Sequence, residues 1–464
     1  MLYVTRYLLT YPVEAGLSLL FNTLTGAVDS VPDRLARLLQ PSSCIHPDQL
    51  TPDEIDLLTS RGYLSTDCDE RERVVGWFAD FKERMKSLWF IVCPTYTCNL
   101  RCPYCYEDIE SRRSKTALSP EAMDHMFRAM DRLVTELGAA AVNLELFGGE
   151  PFLRAHRQLV EAILLRSAER SWPVSGISNG TQIDSYFDLF ERLGENLWQI
   201  QITMDGAEEF HNQLRIYPSG RGSYEEICRN VSGLLQRGIP VLLRINAGPD
   251  NAGSLPRLFS AFEEMGWTQY EQFQCQIAPI NDHGCTGCVP NYQPEFKLLR
   301  TLYDLFDDWE AARVRYHLNL GYDMERRTRL LRKALHGQES AIMNGLDLSG
   351  CSASKHHYVI FGAEGHIYAC PETVGIADVA IGRYFPDFQL DMSRWSKWEV
   401  NISNTAKCLN CSIAPVCGGA CPWHGFNSSS FDAYQPHCNY ARQTIDTYLD
   451  LNRSQILKLL DSAG

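Results

Sequence analysis

The chain has 464 residues, of which 45% are hydrophobic and 22% charged, as is typical of a folded protein with more than one domain. Its formal net charge of −14 excludes the basic surface that sequence-independent nucleic-acid binding needs. No apolar run reaches the roughly 20 residues of a membrane-spanning helix, and the start of the chain lacks the order of a secretory signal. We therefore expect a cytoplasmic protein that binds neither nucleic acid nor membrane.

Residues 1–75 are predicted to form a small winged-helix-like domain. The alternating apolar residues of 17–21 indicate a strand, and residues 23–26 a β-hairpin turn after it. A helix-like stretch follows at 34–39, and residues 51–54 (Thr-Pro-Asp-Glu) have the pattern of a helix-starting capping box. The sheet edge of such a domain can accept an extended peptide strand.

Residues 86–285 alternate between strands and amphipathic helices. Ser223 and Glu226 predict a capping box at the start of one of these helices. Six strand–helix units predict an α/β fold with a parallel sheet, wound open or curled into a partial barrel, with its chemistry at the carboxyl ends of the strands. The strand candidates are residues 88–92, 142–147, 174–177, 199–204, 241–245 and 273–278. Residues 286–345 are predicted to be a helical connector, and residues 346–464 a separate cysteine-rich domain.

The first group of cysteines is Cys98, Cys102 and Cys105, directly after the first of these strands. In a reducing cytosol, grouped thiols hold metal. Three thiolates this close can bind three corners of a [4Fe–4S] cube and leave one iron open for an exogenous ligand. A zinc ion completed by a distant residue is the alternative.

Polar or glycine-rich residues follow the later strands, and together they can surround a small zwitterionic ligand. Glycines allow close backbone approach, and a carboxylate can bind an amine. These residues are Gly148, Gly149, Glu150, Ser178, Asn179, Asp205, Arg215, Arg244 and Asn246.

The spacing Cys-x3-Cys-x2-Cys and the sequence Gly-Gly-Glu-Pro at 148–151 resemble the motifs of radical S-adenosylmethionine (SAM) enzymes, over about residues 88–280. The resemblance implies a partial (β/α)6 TIM barrel in which the amino and carboxylate groups of SAM chelate the open iron. One electron from the reduced cluster would cleave SAM into methionine and a 5′-deoxyadenosyl radical.

The resemblance also implies roles for individual residues. By the family pattern, Glu150 binds the SAM amine and Arg215 meets the SAM carboxylate. The other implied contacts are Ser178, Asn179 and Asp205 near the ribose or amine, the backbone of Tyr104 and Ile277 at the adenine, and Arg244 and Asn246 further out.

Seven further cysteines form a second group, which two zinc knuckles would also explain. The spacing resembles that of the SPASM domain of peptide- and protein-modifying radical enzymes. That resemblance implies two auxiliary [4Fe–4S] clusters. One would be held by Cys408, Cys411, Cys417 and Cys438, and the other by Cys351, Cys370 and Cys421.

The cluster of Cys351, Cys370 and Cys421 lacks a fourth ligand. We hypothesise that this position is open for a substrate thiolate. Cys285 or Cys288 is the alternative ligand, and a pair of loop thiols without a role is the remaining interpretation.

The N-terminal domain indicates which radical SAM enzyme this is. Residues 5–12 and 20–23 are similar to geopeptide-type maturases of ribosomally made peptides. That similarity implies a precursor peptide bound through the N-terminal domain, a thioether or carbon–carbon crosslink as product, and a reductant such as ferredoxin or flavodoxin. The alternatives are an anaerobic sulfatase-maturase-like enzyme that forms formylglycine, and a non-catalytic iron–sulfur electron-transfer protein.

Overall fold

A computed structural model describes most of the chain, as two compact units. Unit 1 consists of Met1–Arg84, Tyr322–Ser354 and Val400–Gly464, and unit 2 of Met85–Gly321 and Lys355–Glu399. The cysteine-rich range 346–464 is therefore divided between the two units. The described residues are 1–13, 16–67, 70–84, 86–105, 107, 116–280, 292–335, 350–355, 357–419, 421–427, 430–434, 438 and 440–462.

The N-terminal part of unit 1 contains two small antiparallel sheets, with strand orders β5-β1-β6 and β2-β3-β4. Its strands are β1 (Leu2–Val4), β2 (Leu8–Pro12), β3 (Leu17–Asn22), β4 (Val28–Pro32), β5 (Cys44–Ile45) and β6 (Leu64–Ser65). Its helices are α1 (Asp33–Leu38), α2 (Pro52–Ser60) and α3 (Glu70–Arg84).

The local signals in this part are confirmed. Strands β3 and β4 form the expected hairpin, and Gly26 in its turn has a φ of +79°. The Thr51 hydroxyl accepts from the Glu54 N–H at 3.3 Å, and the Glu54 carboxylate accepts from the Thr51 N–H at 2.8 Å, so the capping box is present. The winged-helix-like assignment of the domain stays a prediction.

The N-terminal residues share an apolar core with the C-terminal segment of the same unit. Arg6 Nη1 donates to the Leu409 carbonyl at 3.0 Å, and the Thr23 hydroxyl donates to the Ser412 carbonyl. Because both segments bury apolar side chains in this one core, they stabilise each other. The core includes Cys408, which is predicted to hold a cluster. The buried members of the core are Tyr7, Leu24, Val74, Phe78, Ile402, Cys408 and Ala414.

Unit 2 is built on one sheet of eleven described strands. The first six are parallel and are β7 (Ser87–Val92), β8 (Ala141–Leu146), β9 (Val174–Ser178), β10 (Leu197–Thr203), β11 (Val241–Ala247) and β12 (Phe273–Pro279). They match the six predicted strands, and the α/β fold with a partial barrel-like sheet is confirmed. The remaining five are β13 (Leu318–Leu320), β14 (Tyr358–Phe361), β15 (His366–Tyr368), β16 (Gly382–Arg383) and β17 (Gln389–Leu390).

Helices connect the parallel strands and cover one face of the sheet. The connecting helices are α4 (Pro120–Leu137), α5 (Arg157–Ala168), α6 (Phe187–Leu193), α7 (Glu208–Leu214), α8 (Tyr224–Gln236) and α9 (Leu255–Glu264). Helix α4 shows why the pattern was readable, since its buried residues recur at the helical period and its N-cap Ser119 accepts from the Ala122 N–H. Two more helices, α10 (Glu295–Leu305) and α11 (Trp309–Arg315), precede β13.

The sheet is wider than the sequence predicted. Strand β13, inside the predicted helical connector, lies parallel to β12, and β14 from the cysteine-rich range lies parallel to β7. The full order is β13-β12-β11-β10-β9-β8-β7-β14-β15-β16-β17. The hairpin of β14 and β15 packs Ile360 and Tyr368 against Ile91 and Cys93 of the first barrel strand and the loop after it.

The rest of unit 1 is helical, with one short hairpin. Its elements are α12 (Tyr322–Leu335), α14 (Ala406–Leu409), α15 (Ala414–Cys417), α16 (Pro422–Gly425), β18 (Phe426–Asn427), β19 (Ser430–Tyr434), α17 (Ala441–Leu451) and α18 (Arg453–Ser462), while α13 (Met392–Lys397) belongs to unit 2. None of the described helices combines the length and apolarity that crossing a bilayer takes.

Candidate active site

The carboxyl ends of β7–β12 lie at one edge of the sheet, as the parallel order requires. Most of the residues predicted to bind a small zwitterion meet there and are buried. Glu150 is 1% exposed and Asp205 0%, and Ser178, Asn179 and Arg215 are each less than a tenth exposed.

Glu150 is held at the centre of this edge by three hydrogen bonds. Its Oε1 accepts from the Phe152 N–H and the Ser178 hydroxyl, each at 2.9 Å, and its Oε2 accepts from the Asn179 N–H at 2.5 Å. Burial raises the pKa of Glu150 to about 7, against the opposing effect of these hydrogen bonds. A buried carboxylate whose charge is only partly stabilised suits a cationic or N–H-donating ligand.

The two glycines before Glu150 let another loop pack directly on the backbone. Gly149 has a φ of +53°, and a Cβ there would lie 2.6 Å from the Thr97 carbonyl oxygen. A Cβ on Gly148, whose φ is +81°, would lie 2.9 Å from Cys93 Sγ. The Glu150 N–H in turn donates to the Thr97 carbonyl at 2.9 Å. The glycines thus fix the carboxylate next to the segment that leads into the first cysteine group.

Tyr104 brings a second set of predicted SAM contacts together. Its hydroxyl donates to Asp205 Oδ2 and accepts from Arg215 Nη1 at 2.7 Å. Asp205 Oδ1 accepts from the Asn246 N–H at 3.0 Å. Among the described residues, nothing hydrogen-bonds the buried Nε of Arg215. A buried guanidinium with a donor left over is suited to a carboxylate ligand.

His211 and Ser223 support this set through hydrogen bonds, a role that no sequence pattern indicated for either residue. The Asp205 N–H donates to His211 Nδ1 at 3.2 Å, so the ring proton lies on Nε2, which donates to the Ser223 hydroxyl at 3.0 Å. Burial lowers the pKa of His211 to about 3, which keeps the ring neutral. The Ser223 hydroxyl donates to the Arg215 carbonyl and caps nothing in α8, so the predicted capping box is wrong.

Arg244, Asn246 and Ile277 lie on the two neighbouring strands. Arg244 donates through Nε to Asn246 at 3.2 Å and through Nη1 to Gln276. Ile277 is fully buried, and its carbonyl accepts from the Gly321 N–H at 2.6 Å. The second lone pair of that carbonyl is the one a bound adenine would have to use.

The first cysteine group has the donor chemistry of an iron–sulfur site. Burial, followed by the charges of Glu150 and Cys102, raises the pKa of Cys98 to about 12, so its thiol is neutral in the metal-free chain. The Asn179 amide lies 3.8 Å from Cys98 Sγ, as a donor to sulfur. The Cys105 N–H donates to the Cys102 carbonyl at 3.3 Å, which keeps this turn compact. Soft thiolates with amide donors nearby suit a [4Fe–4S] cluster, whose binding would release the thiol protons.

Four of the C-terminal cysteines approach one another in unit 1. Burial raises the pKa of Cys408 to about 12, with further contributions from the charges of Cys417, Cys411 and Cys438. Lys407 hydrogen-bonds Cys438, which raises the lysine pKa. These four thiols are the set that the SPASM resemblance implies for one auxiliary cluster. The electrostatic effect of the other three on the pKa of Cys408 is consistent with that set.

The remaining three cluster cysteines are divided between the two units. Cys351 and Cys421 lie in unit 1, while Cys370, which is 6% exposed, lies in unit 2. Cys285 and Cys288 lie outside the described residues. Within the described part of the chain, no three His, Cys, Asp or Glu side chains are grouped so as to hold a single metal ion. The cluster ligand sets therefore stay predictions.

Comparison with known proteins finds one matching family model and several distant relatives. Residues 92–260 match the family model described as the Radical SAM superfamily. A cysteine-type anaerobic sulfatase-maturating enzyme from Clostridium novyi (strain NT) is 23% identical over 357 residues, which is 73% of this chain and 88% of the relative.

Two solved structures show the same fold. Native anSMEcpe with bound AdoMet matches with a TM-score of 0.59 at 18% identity, covering 81% of this chain and 99% of that chain. Streptococcus suis SuiB bound to precursor peptide SuiA matches with a TM-score of 0.57 at 12% identity, covering 95% of this chain and all of that chain.

Proposed function

We propose that the protein is a radical SAM peptide maturase, because residues 92–260 match the Radical SAM superfamily model. It abstracts hydrogen from a ribosomally made precursor peptide and installs a thioether or carbon–carbon crosslink. The observation that carries the proposal is the buried Glu150 carboxylate, bound to Ser178 and Asn179 at the strand edge where the Cys98 loop begins.

The chemistry that the first cluster and SAM supply together when bound is reductive cleavage of SAM to methionine and a 5′-deoxyadenosyl radical. The protein's part is to bind and orient SAM and to keep water away from the radical. Glu150 accepts from the SAM amine, and an N–H donor there stabilises the carboxylate that burial disfavours.

Arg215 and Asp205 bind the opposite side of SAM in this proposal. Arg215 binds the SAM carboxylate, using donors that Tyr104 satisfies only in part. Asp205 accepts from the ribose or amine, and His211 holds its backbone in place. An electron-transfer protein needs neither a buried arginine nor Glu150 at this edge, which counts against the non-catalytic alternative.

The precursor peptide would bind through the N-terminal part of unit 1. Strands β2 and β4 are the two edges of the sheet with the order β2-β3-β4. Both strands end in a proline, but only β2 lies against helix α17, since the Tyr11 hydroxyl donates to Asp446 at 2.7 Å and Arg442 lies over the Tyr11 ring. We therefore assign the peptide to the β4 edge, where an extended leader can add as a strand. The 95% coverage by a chain crystallised with its precursor peptide supports a peptide as the substrate.

The C-terminal cysteines would hold two auxiliary clusters. Cys408, Cys411, Cys417 and Cys438 hold one of them in full, as their mutual influence supports. Cys351, Cys370 and Cys421 hold the other, whose fourth position is open for a cysteine of the substrate. A reductant such as ferredoxin or flavodoxin supplies the electrons.

A second candidate function is anaerobic sulfatase maturation by formylglycine formation. It is favoured by the relative from Clostridium novyi, which aligns over 73% of this chain. The N-terminal 75 residues and the lower 81% coverage by anSMEcpe favour the peptide maturase. Mass spectrometry separates the two, because a crosslinked peptide and a formylglycine-containing sulfatase peptide differ in mass and fragmentation.

The first experiment compares Glu150→Gln with Glu145→Gln in anaerobically reconstituted protein. Glu145 is a matched control, because burial also raises its pKa to about 7, and it lies five residues earlier, bonded to Ser175 at 3.2 Å. We expect E150Q to lose reductive SAM cleavage while it keeps its iron and sulfide, and E145Q to retain cleavage. Wild-type activity in E150Q would refute the assigned role of Glu150.

A further inference from the structure

One carboxylate in unit 2 connects two segments that lead into predicted cluster cysteines. Glu364 Oε2 accepts from the Tyr96 hydroxyl, and Glu364 Oε1 accepts from the Tyr368 hydroxyl at 2.5 Å. Tyr96 lies two residues before Cys98, and Tyr368 two residues before Cys370. A single side chain thus joins loops whose residues are 268 positions apart in the chain.

The turn between β14 and β15 is shaped around this carboxylate. A Cβ on Gly362 would lie 2.6 Å from both Glu364 Oε2 and the Tyr96 hydroxyl. Only glycine leaves room there for the carboxylate and its donor. On the other side, the Tyr384 hydroxyl donates to the Gly362 carbonyl at 2.7 Å and holds the turn.

Both tyrosines are buried, and both bonds are of a strong kind. Tyr96 is 7% exposed and Tyr368 is fully buried. Phenol hydroxyls donate and a carboxylate accepts, and such hydrogen bonds are shorter and stronger than those between two neutral groups. His366 Nδ1 lies 3.3 Å from Glu364 Oε1 as a further neighbour.

Tyr96 also forms a wall of a pocket between the two segments. The pocket is small, partly open to solvent and mostly apolar, with Phe147 and Val374 among its walls. Gly148, two residues before Glu150, lines one side, and Pro371, directly after Cys370, lines the other. The width of this pocket is therefore set by the distance between the tied segments.

We propose that Glu364 is a positioning residue that ties the Cys98 loop to the Cys370 hairpin and so sets the spacing of these two segments, against which the substrate peptide lies. The second part of this statement rests on the proposed function. Glu364 carries no chemical step itself. Its effect is on how the peptide is seated, and SAM cleavage does not depend on it.

The test compares Glu364→Gln and Tyr96→Phe with Tyr384→Phe in the reconstituted holoenzyme. Tyr384→Phe is the matched control, because it removes a hydroxyl that donates to the turn of the same hairpin and does not bond the carboxylate. Without peptide, we expect all three variants to form 5′-deoxyadenosine within about twofold of wild type. With precursor peptide, E364Q and Y96F should raise KM about tenfold, as the loss of one such bond predicts, with kcat changed less than threefold.

A second readout is independent of cofactor loading and of the substrate. In the cluster-free chain, amide hydrogen exchange in residues 95–98 and 366–370 should rise together in E364Q and Y96F. In Y384F, exchange should rise only in the hairpin. If exchange rises in only one of the two segments, or in neither, the proposed connection through Glu364 is wrong.

The outcomes are separable. If wild-type protein modifies no precursor, the proposed function fails, and the exchange experiment still decides the tie. If KM rises and SAM cleavage falls by similar factors in all three variants, Glu364 is merely part of the packing and the positioning role is wrong. An unchanged KM in both E364Q and Y96F also contradicts it.

Discussion

If Glu150 accepts from the SAM amine, as proposed, its raised pKa makes SAM binding depend on pH in a specified direction. Burial raises that pKa from 4.5 to about 7 in the ligand-free protein, which corresponds to about 3 kcal/mol against the charged form. In the absence of SAM, the stability associated with this group is fully present below pH 4.5 and is lost as the pH rises through 7. SAM reverses the balance, since it favours the charged carboxylate.

The size of the effect follows from the ionised fraction. With a pKa of about 7, roughly one carboxyl in ten is ionised at pH 6 and nine in ten at pH 8. If only the charged form accepts from the SAM amine, the Kd for SAM falls about tenfold between these two pH values and then levels off. That factor corresponds to about 1.4 kcal/mol of binding free energy.

The assay is equilibrium binding of SAM to anaerobically reconstituted protein between pH 5.5 and 8.5. The amine of SAM also titrates, so the informative quantity is the difference between wild type and Glu150→Gln. We expect E150Q to bind more weakly and to lose most of the rise in affinity between pH 6 and 8, while Glu145→Gln keeps the wild-type profile. The same pH profile in E150Q and wild type would refute the reasoning.

Three further predictions concern SAM binding, folding stability and metal content. Gly149→Ala should abolish SAM binding, because its Cβ would lie 2.6 Å from the Thr97 carbonyl in a left-handed conformation; equilibrium dialysis measures this, and normal binding would contradict it. His211→Phe should lower the free energy of unfolding by about 2–4 kcal/mol in denaturant titrations, because it leaves the Asp205 N–H and the Ser223 hydroxyl with a lost partner; a change below 0.5 kcal/mol would argue against that network. Reconstituted protein should contain about 12 irons per chain, as three [4Fe–4S] clusters require; about four would remove the auxiliary clusters.

The sequence predicted best what depends on local spacing. The six barrel strands and the Ser119 cap depend on periodicity over a few residues, and the structure has them. The residues of the Gly-Gly-Glu-Pro motif also proved to be close to the Cys98 loop, because consecutive parallel strands end at the same edge. Long-range partners were not readable, as β14 beside β7 shows.

The site network illustrates the same limit at the level of single side chains. Ser223 fits the pattern of a helix cap, yet its hydroxyl bonds Arg215 and His211, which lie 8 and 12 residues away. A local sequence pattern indicates which hydrogen bonds a side chain can form. Tertiary packing determines which of the possible partners lies close enough to form one. Nothing in the sequence near Glu364 indicated Tyr96 as its partner, since the two lie 268 residues apart.

The pairing of β14 with β7 changes where the barrel ends. Residues 358–361 run beside residues 89–92, although the family match stops at residue 260. A fragment cut before residue 355 would leave β7 as an open edge, with unpaired backbone groups next to the loop that carries Cys98, and such an edge invites pairing between molecules. The matched region 92–260 is therefore not a complete structural unit in this protein. Truncation or recombination after residue 260 would separate β7 from its partner strand β14.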